Sequence, residues 1–411
     1  MTEMHARQNK GPLTGLRVLE LGHFIAAPFC TRILGDLGAE IIKIESPGKG
    51  DPIRSWGKMV NGKSLWWSVH GRNKKSVTLN MKVPGGLEIA KQLIVECDAI
   101  VENFRPGQLD RWGLGADVIS RINPDCIVVH VSGYGQTGPD RDRPAFGVIG
   151  EAIGGLRYLT GFPEGVTSLP PARTGVSLGD MVAGLYAAIG LLSAVHARSS
   201  RPGDKPPSVD VALTESVFSL MEGSLPEYGK LQEVRQPTGA TLPTNAPSNA
   251  YPAKDGRWVI IAANSDALFR RLMELIERDD LAIDPRFSDN PGRVAHAEEL
   301  DAAISIWTMG RDASSTANIL ADADIPATRI NTIEDCANDA QLKDRDMILA
   351  VDDPNFGDVL HPGVVPKIFG NDAGGVSWPG PDIGAHTDHV LSELLGMTED
   401  DIQTLRVEKT I

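Results

Sequence analysis

Cysteine, aromatic residues and long apolar runs are all scarce in this 411-residue chain. Its four cysteines, Cys30, Cys97, Cys126 and Cys336, lie far apart with no CxxC pair. That spacing excludes a disulfide framework and a dithiol redox motif, and suits isolated thiols of a reducing compartment. No unbroken run of about 18 apolar residues is evident, so no membrane span is expected. The opening MTEMHARQNKGPLTG has no apolar core, so no secretory signal is expected and a cytoplasmic location is. Positive charge is short as well: 40 Lys and Arg face 54 Asp and Glu, a net of −14. A general nucleic-acid binder needs a broad basic face and is disfavoured. Three signatures are missing. The first βα turn reads ELGHFIAAP rather than GxGxxG, and there is neither a GxSxG elbow nor an HExxH pair. A conventional NAD site, a serine hydrolase and a zinc protease are therefore disfavoured.

What is present is an ordinary globular mixture, 41% hydrophobic and 23% charged, long enough for two domains or one large discontinuous one. The charge is unevenly spread. Lys43 to Lys82 holds nine Lys and Arg against Glu45 and Asp51, a net of +7, whereas 330–411 holds sixteen acids against five bases, a net of −11. A basic island in an acidic protein is either a solvated face or a site for an anionic ligand.

Short apolar runs alternate with helical spacing: LRVLEL (16–21), a helix over 26–37, EIIKI (40–44), SVTLN (76–80), a helix over 86–97, AIVEN (99–103), a helix near 115–121 and CIVVHVSGYG (126–135). This alternation predicts a doubly wound α/β sheet covered by helices on both faces. VDVAL (209–213) adds a strand and 215–222 a helix. Residues 234–252, rich in Pro, Asn and Thr, read as a long irregular loop, followed by WVIIAA (258–263) and several amphipathic helices to about 325. A smaller α+β domain is expected there. The chain is expected to close on a helix over 389–395.

Two segments invite chemistry. His386 and His389, three apart with no third ligand nearby, read as part of a helix start rather than a metal site. Asp180 stands just before a long helix of small and apolar residues in SLGDMVAGLYAAIGLLSAVHA. It is either an N-cap or a carboxylate nucleophile oriented by backbone donors at the start of a mostly buried helix.

Six ordered stretches carry a resemblance: GLRVLELGHFIAAPFCTRILGDLGAEIIKIESPGKGDPIR (15–54), RNKKSVTLNMK (72–82), VENFRPGQLDRWGL (101–114), SGYGQTGP (132–139), SLGDMVAGLYAA (177–188) and GAHTDHVLSELLG (384–396). Together they resemble the class III CoA-transferase family of CaiB/BaiF type. That family includes formyl-CoA and carnitine CoA-transferases and α-methylacyl-CoA racemases. The resemblance implies a large Rossmann-like CoA-binding domain made of 1–225 and 326–411, a small α+β domain over 226–325, and an interlocked homodimer. It implies Asp180 as the nucleophile, passing through aspartyl anhydride and aspartyl-CoA thioester intermediates. For coenzyme A, which would enter as the acyl-CoA substrate and not as a resident cofactor, the matching positions are Phe24, Ile25, Ala26, Asn80, Lys82, Asn103, Phe104, Arg105 and Arg111. Arg72, Lys74 and Lys75 would add charge at the nucleotide mouth. No metal, nucleic-acid or membrane partner is implied.

Two departures bear on substrate. Ser46 stands where formate-type relatives have Arg, and TLPTNAPSNA (241–250) stands where they have a Gly-rich run, so formyl-CoA and oxalate are not expected. SGYGQTGP and RNKKS are similar to members that take CoA from succinyl-CoA and give it to a dicarboxylic or aryl acid. The alternative is a racemase, but Phe146 stands where such relatives place a His, and a phenyl ring cannot abstract a proton.

Overall fold

The computed structural model describes residues 9–370 and 372–411. Two compact units share the chain. One comprises the chain up to Arg157, Arg173–Glu233 and Gln341–Ile411; the other comprises Tyr158–Ala172 and Val234–Ala340.

The first unit is built on six parallel strands: β1 (Arg17–Glu20), β2 (Glu40–Glu45), β3 (Lys74–Thr78), β4 (Ala99–Glu102), β5 (Ile127–Ser132) and β6 (Val209–Ala212). Their spatial order is β3-β2-β1-β4-β5-β6, so the winding reverses between β1 and β4. Ligands of such sheets bind beyond the carboxyl ends of the strands at that reversal. Strand residues point alternately to opposite faces. Val18, Ile41, Val101 and Val129 therefore pack on α1 (Ala26–Asp36) and on a long helix, Leu178–Ser200. Leu19, Ile42, Ile100 and Val128 pack on the other face, against α2 (Pro84–Val95).

Between these elements the chain forms α3 (Gly147–Ile153), and Leu178–Ser200 is α4. Small residues let α1 and α4 touch closely. A Cβ added at Gly184 would lie 2.7 Å from the Ala26 carbonyl oxygen. The expectation that no segment reaches membrane-span length and hydropathy needs correcting. α4 passes that test on length and composition, yet its inner face, with Ala183, Ala187, Leu191 and Ala194, is packed in the sheet core.

The C-terminal part of the chain covers the edge strand β3. The Ser76 N–H donates to His386 Nδ1 at 3.2 Å, the Thr78 N–H to Thr387 Oγ1 at 2.9 Å and the Asn80 N–H to the Thr410 carbonyl at 2.7 Å. His386 thus serves the sheet edge, and His389 pairs with Glu393 at 2.8 Å. Among the described residues no group of three or more His, Cys, Asp or Glu is placed to hold a metal. The chain does not close on the helix Thr387–Leu395. A further helix, Glu399–Val407, follows, started by a reciprocal capping pair of Thr398 and Asp401. The T-x-x-D spacing that signals it is present in the sequence.

The second unit has a three-stranded antiparallel sheet, β7 (Ser248–Pro252), β8 (Trp258–Ala262) and β9 (Ala327–Arg329), in the order β9-β8-β7. Tyr251, Val259 and Ile261 pack beneath the helices, with Phe269, Leu272 and Ile304. Three boundaries differ from expectation. β7 turns the end of the 234–252 loop into strand. β9 pairs with β8, carrying the unit past 325 to Ala340. Tyr158–Ala172 joins it too, the Gly239 N–H donating to the Gly161 carbonyl at 2.9 Å.

Candidate active site

Side chains hold four backbone groups of the turn after β1. Lys43 Nζ donates to the Gly22 carbonyl at 2.9 Å. The Asn103 amide accepts from the His23 N–H and donates to the His23 carbonyl, both at 2.8 Å. Asp51 Oδ1 accepts from the Phe24 N–H at 3.1 Å. Phe24 has φ +64°, a left-handed backbone that costs a residue with a Cβ on the order of 1 kcal/mol. These clamps hold it. The His23 and Phe24 N–H donors are thereby engaged within the turn and not free for an anion.

Behind the turn lies a closed ionic network. Lys43 is paired to Glu20 at 2.6 Å and to Asp51 at 2.7 Å, and Lys74 to Glu20 at 2.8 Å, with all four side chains fully buried. Arg72 is buried in a pair with Asp36 at 2.6 Å and also donates to the Pro362 carbonyl. Lys75 is paired to Glu40 at 2.6 Å. The placement of Arg72, Lys74 and Lys75 at a nucleotide mouth is therefore corrected. Their charges are neutralised by acids lying outside or within the 43–82 island, so the net of +7 is not a free field. Lys43→Met leaves Asp51 without its buried cation and Glu20 with Lys74 alone. It is expected to cost about 3–5 kcal/mol of stability, read as a lower urea midpoint at unchanged slope.

Asp180 is in the first turn of α4 and is mostly buried. It is not the N-cap, which is Ser177. Its carboxylate accepts from the Gly147 N–H at the start of α3. Helix starts present unpaired N–H groups and a favourable dipole to a carboxylate. Burial and then the charge of Glu151 nevertheless dominate, raising the Asp180 pKa to about 6 against the opposing pull of the Gly147 N–H and Arg173. The group is ionised at neutral pH and more basic than an ordinary aspartate.

The turn, α3 and α4 border a cavity of about 290 Å³. Its lining joins Phe24, Ala26, Asn103, Phe104, Arg105 and Asp180, six of the expected positions, from three separate segments. Phe146 lines it too, its ring 6.0 Å edge-on from that of Phe24. Ile25, Asn80, Lys82 and Arg111 lie outside the lining. The Ile25 side chain packs with Ile53 and Trp67. Asn80 donates to the Lys409 carbonyl, Lys82 is exposed, and Arg111 donates to Gln108 Oε1 at 2.9 Å. Three lining residues escape a reading of the sequence. His23 stacks edge-on with Phe104 at 5.4 Å, and burial, then Lys43, lowers its pKa. Arg141 and Arg143, both exposed, bring cationic charge to the cavity beside Arg105. The DRDRP run before the helix is visible, but Asp140 and Asp142 disguise it as a neutral surface turn.

The comparisons agree with this geometry. The description CoA-transferase family III matches residues 13–387. The chain is 44% identical over 409 residues to succinyl-CoA–D-citramalate CoA-transferase of Chloroflexus aurantiacus, covering 99% of this chain and all of that one. It is 39% identical to the beta subunit of succinyl-CoA–L-malate CoA-transferase of the same organism, covering 97% and 98%. A crystal structure of a CaiB/BaiF family protein from Brucella suis superposes with a TM-score of 0.82 at 31% identity, covering 94% of this chain and all of that one. With a shared sheet, a shared chain length and six ordered motifs, the chain belongs to CoA-transferase family III.

Proposed function

We propose that this protein moves CoA from succinyl-CoA to a hydroxydicarboxylic acid, with Asp180 as the covalent relay. The observation that carries the reading is a basic, ionised carboxylate at the wall of a cavity with arginines along its lining. In the first step an Asp180 oxygen attacks the thioester carbonyl and the C–S bond breaks, leaving a mixed anhydride and CoA thiolate. The thiolate then attacks the aspartyl carbonyl, forming an aspartyl thioester and releasing succinate. The acceptor carboxylate attacks that thioester, expelling thiolate and forming a second anhydride. Thiolate attack on the acceptor acyl carbon gives the new acyl-CoA and restores Asp180. No proton is consumed or released overall, and every intermediate keeps the energy of an activated acyl group. Free N–H groups at the start of α1, beyond those the clamps engage, face the developing oxyanion in this reading.

The relatives' names support succinyl-CoA as donor and citramalate- or malate-like acids as acceptors. A panel of acids offered with succinyl-CoA tests this: new thioester with four- or five-carbon hydroxydiacids is expected, and transfer to formate or oxalate alone would sink it. No observation favours racemisation, since Phe146 fills the position that reaction needs for a base. Solvent deuterium is accordingly expected to stay out of the α-carbon.

For the CoA phosphates, Arg105, Arg141 and Arg143 replace the buried island residues. Changing any one to Gln is expected to raise KM for the acyl-CoA about fivefold, the equivalent of roughly 1 kcal/mol, with kcat little changed. Lys82→Gln and Arg111→Gln serve as controls, with KM expected to hold.

The functional unit in this reading is a homodimer with interlocked chains. Supporting it, α4 turns Leu185, Tyr186 and Ile189 outward, at 47%, 38% and 58% exposure, on a helix whose other face is core. Apolar faces of this kind on a folded chain are commonly subunit contacts.

A further inference from the structure

Glu151 carries a carboxylate only 1% exposed, on the short helix α3 one turn beyond Gly147, so the two residues share a helix face. One of its oxygens accepts from Arg157 Nη2 at 2.6 Å. The other accepts from the Gly179 N–H at 3.4 Å. Gly179 is the residue before Asp180, in the first turn of α4, where backbone donors have no partner within the helix. Ser177, the N-cap, makes no side-chain hydrogen bond to that turn. Glu151 therefore supplies from α3 the acceptor that the cap leaves out.

We propose that Glu151, anchored by Arg157, is a positioning residue for Asp180: it fixes the start of α4 and sets a second negative charge behind the nucleophile. The inference rests on the reading of Asp180 as that nucleophile. A like charge close by makes the ionised carboxylate less stable, hence more basic and a stronger nucleophile toward a thioester carbonyl. Arg157 supplies the counter-charge that a carboxylate in the interior needs, at 2.6 Å. The other charged or titratable groups facing Asp180 are Arg173, which opposes Glu151, and His23, Arg105, Arg141 and Arg143 from the cavity lining. None of these is an acid. Glu151 is thus the acidic side chain in this surrounding, among the described residues, and its position on a helix that touches Asp180 makes the effect fixed rather than fluctuating.

Glu151→Gln keeps the shape and an acceptor for Gly179 and removes only the charge. Two readouts follow the Asp180 carboxyl. One is the pH dependence of exchange of labelled succinate into succinyl-CoA. The other needs no substrate: the difference in melting temperature between the protein with and without Asp180→Asn, followed from pH 4 to 8. In the Glu151→Gln background both midpoints are expected to move to lower pH by about half a unit or more, and Glu151→Asp is expected to return them toward the parent value. Unchanged midpoints in Glu151→Gln would overturn the proposal, as would Glu151→Asp behaving like Glu151→Gln. Failure of the underlying reading looks different: Asp180→Asn would then retain exchange activity, while the melting midpoints would still report on Glu151.

Discussion

Asp180→Asn is expected to abolish CoA transfer, by about 10⁴-fold or more as for other lost covalent nucleophiles, and to give a protein that melts higher than its parent at neutral pH. The two halves have one cause. An amide cannot form the anhydride, so the relay stops at the first step. The same substitution removes a charge that the fold tolerates poorly. The folded-state pKa of about 6 lies above the ordinary 3.8, so the folded protein binds a proton more tightly than the unfolded chain. Stability is therefore lost as pH rises from about 4 through 6 and stays low above. At about 1.4 kcal/mol per unit, discounted for partial exposure, the penalty is on the order of 1–2 kcal/mol at neutral pH. Melting curves at pH 4 and 7.5 should show the variant's advantage only at the higher value. Parent activity should fall about tenfold per unit as pH drops below 6. Retained activity, or a variant that melts lower at pH 7.5, would count against Asp180 as a buried nucleophile.

Gly147→Ala is expected to be nearly as damaging without touching a titratable group. A Cβ at that position would sit 2.1 Å from an Asp180 carboxylate oxygen, 2.6 Å from its carboxyl carbon and 2.9 Å from its backbone nitrogen. Rotating the side chain relieves only the first two contacts; the third requires α3 and α4 to separate. A displacement of about 1 Å at a reacting atom commonly costs 10²-fold, and the Gly147 N–H bond to the carboxylate is lost with it. The expected signature is a fall in kcat of about 10²-fold or more, with KM for the acyl-CoA moving less because Arg105, Arg141 and Arg143 are untouched. A variant with parental kcat would show that α3 does not hold the nucleophile.

The winding of the large sheet was legible because short apolar stretches alternate along the chain with segments of helical period. β9 was not. Ala327–Arg329 is three residues long, and only its pairing with β8 makes it a strand. Asp180 was open to two readings in sequence, because a carboxylate at a helix start serves capping and catalysis equally well. The fold removes the capping reading, since Ser177 is the N-cap, and the cavity supports the other by adding Phe24, Asn103 and Arg105 from distant segments. The island at 43–82 misled for a physical reason. Linear charge counting cannot see Glu20, Asp36 and Glu40 folding back onto Lys43, Lys74, Arg72 and Lys75. Arg141 and Arg143 were missed by the same arithmetic, since two acids beside them cancel their sum but not their reach.

The covering of β3 by the C-terminal part of the chain has a consequence for biosynthesis. The Asn80 N–H finds its acceptor at Thr410, 330 residues further along. At 5–20 residues per second a ribosome needs roughly 15–70 s to make that stretch. Through that interval the nascent sheet presents an open edge, the kind of surface that recruits a neighbouring strand or a chaperone. Translation that stalls anywhere before Thr387 would leave a chain that has Asp180 and most of its cavity, yet cannot seal the sheet on which both are mounted.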